Sequence, residues 1–156
     1  MICNSDKRKG GFKLIKALTP YLVTNGNGQE VLSFYEQALG AEIHNLQTFG
    51  DLPDNPENPM PEANKKLVLN ALVKAGEAEF MLSDNQPGHP FHLGNHITLA
   101  IQSDDAEETR RLFDRLKESG KIIMPLQETP WSSLYGQLID QYGVYWQLNT
   151  LSHHMD

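Results

Sequence analysis

A chain of 156 residues has room for one well-buried domain or for two small modules that share a core. Its formal charge of -7 argues against nucleic acid and anionic membrane as main partners, because phosphate binding needs clustered Lys and Arg. No apolar run reaches membrane-spanning length, residues 1–11 lack the apolar core of a signal peptide, and the single cysteine, Cys3, cannot close an internal disulfide, so a cytoplasmic protein is expected.

Residues 1–17 read as an N-terminal extension and 152–156, with the His153-His154 pair, as a frayed tail. Leu18 to Thr24 reads as a strand, and Asn25-Gly26-Asn27-Gly28 as a turn. Its Gly-x-Gly lacks the third glycine and the βαβ context of a nucleotide fingerprint. Val31, Phe34, Tyr35 and Ala38 fall at helical spacing, with Gly40 where a C-cap is expected. Ala41 to Phe49 is a second strand carrying His44. Residues 50–66 hold Pro53, Pro56, Pro59 and Pro61 and predict an extended surface loop, of the kind that serves as a lid, a binding loop or a disordered insert. Leu67 to Lys74 and Glu77 to Ser83 form a hairpin about Ala75-Gly76, and residues 84–95 are a linker.

The next strand, from His96, alternates strictly: Ile97, Leu99 and Ile101 on one face, His96, Thr98, Ala100 and Gln102 on the other. Asp105 with Glu108 predicts a capping box for a helix that buries Leu112, Phe113 and Leu116 and ends near Gly120. Ile122 to Glu128 is a strand, Trp131 to Leu134 a bend, Tyr135 to Asp140 a strand, and Val144 to Leu151 the last. Each half, 18–83 and 96–151, therefore reads strand, helix, strand, strand, strand. The fold class is α+β, two βαβββ modules whose leftover sheet faces form a cup suited to a small molecule.

Leu18-Thr19-Pro20-Tyr21-Leu22, Phe34-Tyr35 followed by Leu39-Gly40-Ala41-Glu42, Phe49-Gly50-Asp51, Met81-Leu82-Ser83-Asp84, Gln127-Glu128 with Trp131, and Asp140 with Gly143 and Trp146 form a recognisable series. It resembles the PhnB-like branch of the glyoxalase, bleomycin-resistance and dioxygenase (vicinal oxygen chelate) superfamily. Members of that branch often carry a 3-demethylubiquinone methyltransferase-like label, but this chain has no glycine-rich loop for S-adenosylmethionine. The resemblance implies homodimers, and in metal-dependent members it implies ligands on the first and last strand of each module. Those positions align here with Pro20, Met81, His96 and Gln147, of which only His96 is a good ligand for a divalent ion.

The candidate cup residues are His96, Gln147, Met81, Tyr145, Trp131 and Glu128, with Trp146 assigned to the core. No catalytic group is assigned, and no metal site. Cys3 is terminal, and Ser132-Ser133 lacks a nucleophile elbow. Three functions compete: a binding module for a small molecule, with the acidic balance favouring a cationic guest; a divalent-metal lyase, isomerase or dioxygenase using His96 with help from His44, Asp84 or Glu128; and an interaction protein with a vestigial cup.

Overall fold

A computed structural model describes residues 14–151, so the readings for Cys3 and for the tail from residue 152 lie outside the described residues. The first module comprises β1 (Tyr21–Thr24), α1 (Gly28–Leu39), β2 (Glu42–Thr48), β3 (Val68–Ala75) and β4 (Ala78–Asp84). The second comprises β5 (Leu99–Ser103), α2 (Ala106–Leu116), β6 (Lys121–Thr129), β7 (Ser132–Ile139) and β8 (Tyr145–Thr150). Each folds into a four-stranded mixed sheet, in the orders β1-β4-β3-β2 and β5-β8-β7-β6. The first strand runs parallel to the last and the other pairings are antiparallel. The βαβββ unit expected from the sequence is thus present twice with the same topology.

Both helices form for local reasons. In α1 the stripe Val31, Leu32, Tyr35 and Ala38 is buried, and Gly40 ends the helix at φ 62°, a left-handed conformation that costs glycine nothing. In α2 the Asp105 side chain accepts the Glu107 N–H as an N-cap. The predicted capping box is not completed, because Glu108 turns instead to Arg111 along the helix surface. The helix stops at Leu116 and the left-handed residue is Ser119, not Gly120. Gly120 has a different role: a Cβ there would stand 2.3 Å from the Ile139 carbonyl oxygen.

Two strand boundaries also differ from expectation. β5 starts at Leu99 and not at His96, and Ile97 is 71% exposed. The parallel ladder with β8 begins where Leu99 pairs with Trp146, and the Val144 carbonyl and N–H bond to Asp140 on the β7 side. The bend expected over Trp131 to Leu134 is a tight turn at Pro130-Trp131, and β7 already begins at Ser132. The Ser132 hydroxyl is buried and bonds to the carbonyls of Leu134 and Thr150, which lets a polar residue sit inside the sheet.

The loop over residues 50–66 is exposed almost throughout, with single-turn 3-10 helices at Phe49–Asp51 and Glu62–Asn64. Its ends are pinned together by Gly50 N–H to Lys65 carbonyl and Phe49 N–H to Leu67 carbonyl.

The core lies between the sheets. Val73, Phe80 and Leu82 of the first sheet and Leu138, Trp146 and Leu148 of the second belong to one buried cluster with the stripes of α1 and α2. Tyr35 of α1 packs edge-on against both Phe80 and Trp146, with ring centroids 5.6 and 5.8 Å away. The helices are therefore the inner layer, and each sheet turns its other face outward. Among the described residues no strand of one sheet pairs with a strand of the other.

Asp140, 3% exposed, fastens the modules. One carboxylate oxygen accepts the Tyr35 hydroxyl at 2.7 Å and the Trp146 indole N–H at 2.9 Å. The other accepts the N–H groups of Tyr142 and Val144. Burial and then the Asp140 charge hold the Tyr35 phenol far above its ordinary pKa of 10.0. The neutral phenol is thus the form the fold stabilises. Its contribution is complete below pH 10.0 and is lost as pH rises toward the folded-state value.

Tyr35→Phe is expected to lower the unfolding free energy by about 1.5–3 kcal/mol, the worth of a hydrogen bond to a charged group. In urea titrations the gap from wild type stays constant below the phenol's ordinary pKa of 10.0 and narrows above it; a gap that widens with alkali contradicts the assignment. Gly120→Ala is expected to cost about 1–3 kcal/mol by overpacking, read as a lower urea midpoint; an unchanged midpoint would show the turn yields freely.

Candidate functional site

The carboxylates that the sequence offers for chemistry are mostly engaged in structure. Asp84, raised as a helper ligand, is buried at the end of β4. One of its oxygens accepts the Thr24 hydroxyl and the N–H groups of Gly26 and Gly28, and the other accepts Val68 N–H at 2.8 Å. It ties β1, the start of α1 and β3 together, with four donors already on its two oxygens. Asp140 is engaged in the same way between the modules.

The polar residues left free for a ligand lie on the outward face of the second sheet. The register sets Gln147 between Ala100 and Gln137, and Asn149 between Gln102 and Tyr135. There the side chains form a directed chain. Gln137 Nε2 donates to the Tyr135 hydroxyl (2.8 Å), Tyr135 donates to Gln147 Oε1 (2.5 Å), and Gln147 Nε2 donates to Thr98 Oγ1 (2.7 Å). One pleat along, the buried Oδ1 of Asn149 has no hydrogen-bond partner among the described residues. Trp131 stands edge-on to Tyr135 at 5.6 Å and is 63% exposed. At the other end of this face a hollow of about 290 Å³ is lined by Leu93, Gly94, Asn95, Ile139, Gly143 and Tyr145.

The structure brings three of the six candidate residues, Gln147, Tyr145 and Trp131, to this face or its rim. Glu128 is exposed on β6. His96 is exposed and precedes β5, with its ring beside Gly94. Gln147 is bonded to Thr98, not to His96. The first-strand positions opposite Met81 and Gln147 are Tyr21 and Ala100, where the sequence alignment put Pro20 and His96. Met81 lies on the other sheet, in a cross-strand row with Tyr21, Leu72 and His44. His44 is paired with Glu42 at 3.1 Å on that surface. Thr98 stands on the polar face expected of its strand, whereas Tyr135, Gln137 and Asn149 were not among the candidate cup residues; the alternation of Tyr145, Gln147 and Asn149 was the available signal.

A second hollow, of about 590 Å³, lies at the base of the 50–66 loop and is lined by Gln29, Thr48, Glu62, Ala63, Lys65 and Lys66. Lys65 is held by Glu62 at 2.8 Å and the Thr48 hydroxyl by Asp51, so much of its polar lining is already paired.

These residues do not fit a divalent metal of the lyase or oxygenase kind, which needs three or four imidazole or carboxylate donors. The positions concerned offer a phenol, a thioether, a methyl group and an amide whose oxygen is taken by Tyr135. Among the described residues no three His, Cys, Asp or Glu side chains come together as a ligand group. Addition of Mn(II) or Zn(II) is expected to leave the thermal midpoint in place; an ion present at a hundred times its Kd would stabilise the fold by about 2.7 kcal/mol, readily seen by scanning calorimetry.

Comparison with known proteins agrees with the architecture. The profile of the Glyoxalase/Bleomycin resistance protein/Dioxygenase superfamily matches residues 17–148. Protein YjdN of Escherichia coli (strain K12) is 32% identical over 141 residues, covering 86% of this chain and 95% of the relative. Among solved structures, protein PA1353 from Pseudomonas aeruginosa superposes with a TM-score of 0.77 at 33% identity, over 88% of this chain and 98% of that one. The PhnB protein from Bacillus cereus superposes with a TM-score of 0.69 at 28% identity, over 86% and 99%.

Proposed function

The chain belongs to the glyoxalase, bleomycin-resistance and dioxygenase superfamily, and from that membership and the geometry of its second sheet we propose that it binds a small molecule on the outward face around Gln147. The observation that carries this reading is the hydrogen-bonded series Gln137, Tyr135, Gln147 and Thr98. A pre-ordered polar array on an outward sheet face, flanked by a half-buried Tyr145 and an exposed Trp131, has the composition of a ligand floor. The binding is not routed through a metal, because the donor set does not suit one.

A floor needs a roof, and the helices occupy the space between the two sheets of one chain. We infer that a second copy supplies it, with the outward face of the partner's first sheet closing over the floor. That face leaves Tyr21 and Val23 about half exposed, an apolar surface that a homodimer would cover. The protein is placed in the cytoplasm on its single cysteine.

Sedimentation equilibrium is expected to give the mass of two 17.6 kDa chains. Tyr21→Glu together with Val23→Glu is expected to yield a folded monomer whose ligand binding is lost with the roof. A wild type that stays monomeric at all concentrations, or a mutant that remains dimeric, contradicts the two-copy cup.

A further inference from the structure

We propose that the ligand is uncharged and carries a carbonyl beside an N–H, as in a carboxamide or a lactam, on a flat apolar body. This rests on the reading that the face around Gln147 is the site. It departs from the cationic guest that the net charge of -7 suggests, since that charge is not on the floor.

From Thr98 at one edge of the face to Gln137 toward the other, the groups presented are hydroxyls and amides, those of Thr98, Tyr135, Gln137, Tyr145, Gln147 and Asn149. The ionised side chains of the outer strand β6 and of Asp104, which follows β5, stand toward the ends of the face. Lys121 lies opposite Ile139, at the end away from Asn149, and Glu128 lies close to the turn that carries Trp131. An ion settling on such a floor gives up its hydration and meets no counter-charge from the floor itself, a loss that a neutral guest avoids. The charged groups of the covering face already stand beside one another, Glu42 with His44 and Lys74 opposite Glu79.

The unused valences specify the rest. In the chain of three hydrogen bonds the Tyr135 hydroxyl, Gln147 Oε1 and Thr98 Oγ1 each accept once, which leaves the Thr98 hydroxyl proton and the second Gln147 Nε2 proton to donate outward, with Gln137 keeping its Oε1 and second Nε2 proton at the far edge. Asn149 Oδ1 stays an acceptor without a donor. Rotating the Gln137 and Gln147 amides reverses the chain but introduces no charge. Gln147 and Asn149 are two residues apart on one strand, about 6.8 Å. A carbonyl oxygen directed to Gln147 or Thr98 and an N–H directed to Asn149 span that separation with bonds of about 2.9 Å each. The apolar body has its place in the adjoining hollow of about 290 Å³, between Leu93, Ile139 and Tyr145. That volume suits a single ring more than a large guest.

Three probes of one shape and different charge test this: benzamide, benzoate and benzylammonium, each titrated into the full-length protein and followed by backbone amide resonances. Benzamide is expected to shift Tyr135, Gln147 and Asn149 and to bind at least about tenfold tighter than either ion, the factor that one unmatched polar group costs. Thr98→Val is expected to weaken benzamide several-fold, and Gln147→Glu to reverse the preference toward benzylammonium, each with an unchanged thermal midpoint. If either ion binds as well as benzamide to the same residues, the neutral-ligand inference is overturned while the site reading stands. If none of the three perturbs this face, or the shifts fall on Lys65 and Lys66 instead, the site reading falls and the inference with it.

Discussion

The fold depends on the Asp140 carboxylate more than on any other single group. Four donors reach it: the Tyr35 hydroxyl from α1, the Trp146 indole from β8, and two N–H groups from the turn that leads into that strand. A carboxylate has about four lone-pair sites, and here each has a partner. Removing such a charge from water without them would cost several kcal/mol. The group therefore stays buried only while both modules hold their positions, and that requirement fixes α1 against the second sheet. Tyr142 extends the junction outward, packing on Phe34 and reaching Glu30 at 3.3 Å.

Because the modules join through their helices, the sheet faces left open are the outer ones. The two halves share a topology yet solve the same local problem differently. At the end of the first sheet, Asp84 stands opposite Thr24 and gathers the start of α1 with a carboxylate. At the matching place in the second sheet, Thr150 stands opposite Ser103 and meets the Thr109 hydroxyl at 2.8 Å, while α2 is capped locally by Asp105. Three residues earlier on the same strands the comparison is Met81 against Gln147. One is set among Tyr21, Leu72 and His44, the other in an amide and hydroxyl array. The first face is suited to covering and the second to recognition.

Much of this was legible in the chain. Helical spacing with Gly40 behind it, alternation along β8 and the recurrence of strand, helix and three strands were enough for the architecture, since each is a local signal. Trp146 could be assigned to the core because it shares a face with Val144 and Leu148. The site was less legible. His96 drew attention as the one good metal donor on an alternating stretch, but the parallel ladder with β8 begins only at Leu99 and leaves it outside the strand. Asp84 reads as a free carboxylate until its four donors, from residues 24 to 68, are brought to it by tertiary folding. The partnership of Gln147 with Thr98 and Tyr135 is set by cross-strand register, which one sequence does not state. Nor does it state that the two cup faces point apart.

The two tryptophans have opposite roles: Trp146 is locked on Asp140 at the centre, and Trp131 stands at the rim of the outward face. Hydrogen exchange at the two indole N–H groups, followed by NMR on the native protein, tests that arrangement most directly. The Trp146 proton is predicted to exchange only through global unfolding, as slowly as the most protected backbone amides, while the Trp131 proton exchanges at once. Rapid exchange at Trp146 in the folded protein, or equal rates at both rings, would contradict a junction built on Asp140 and with it the outward placement of the site.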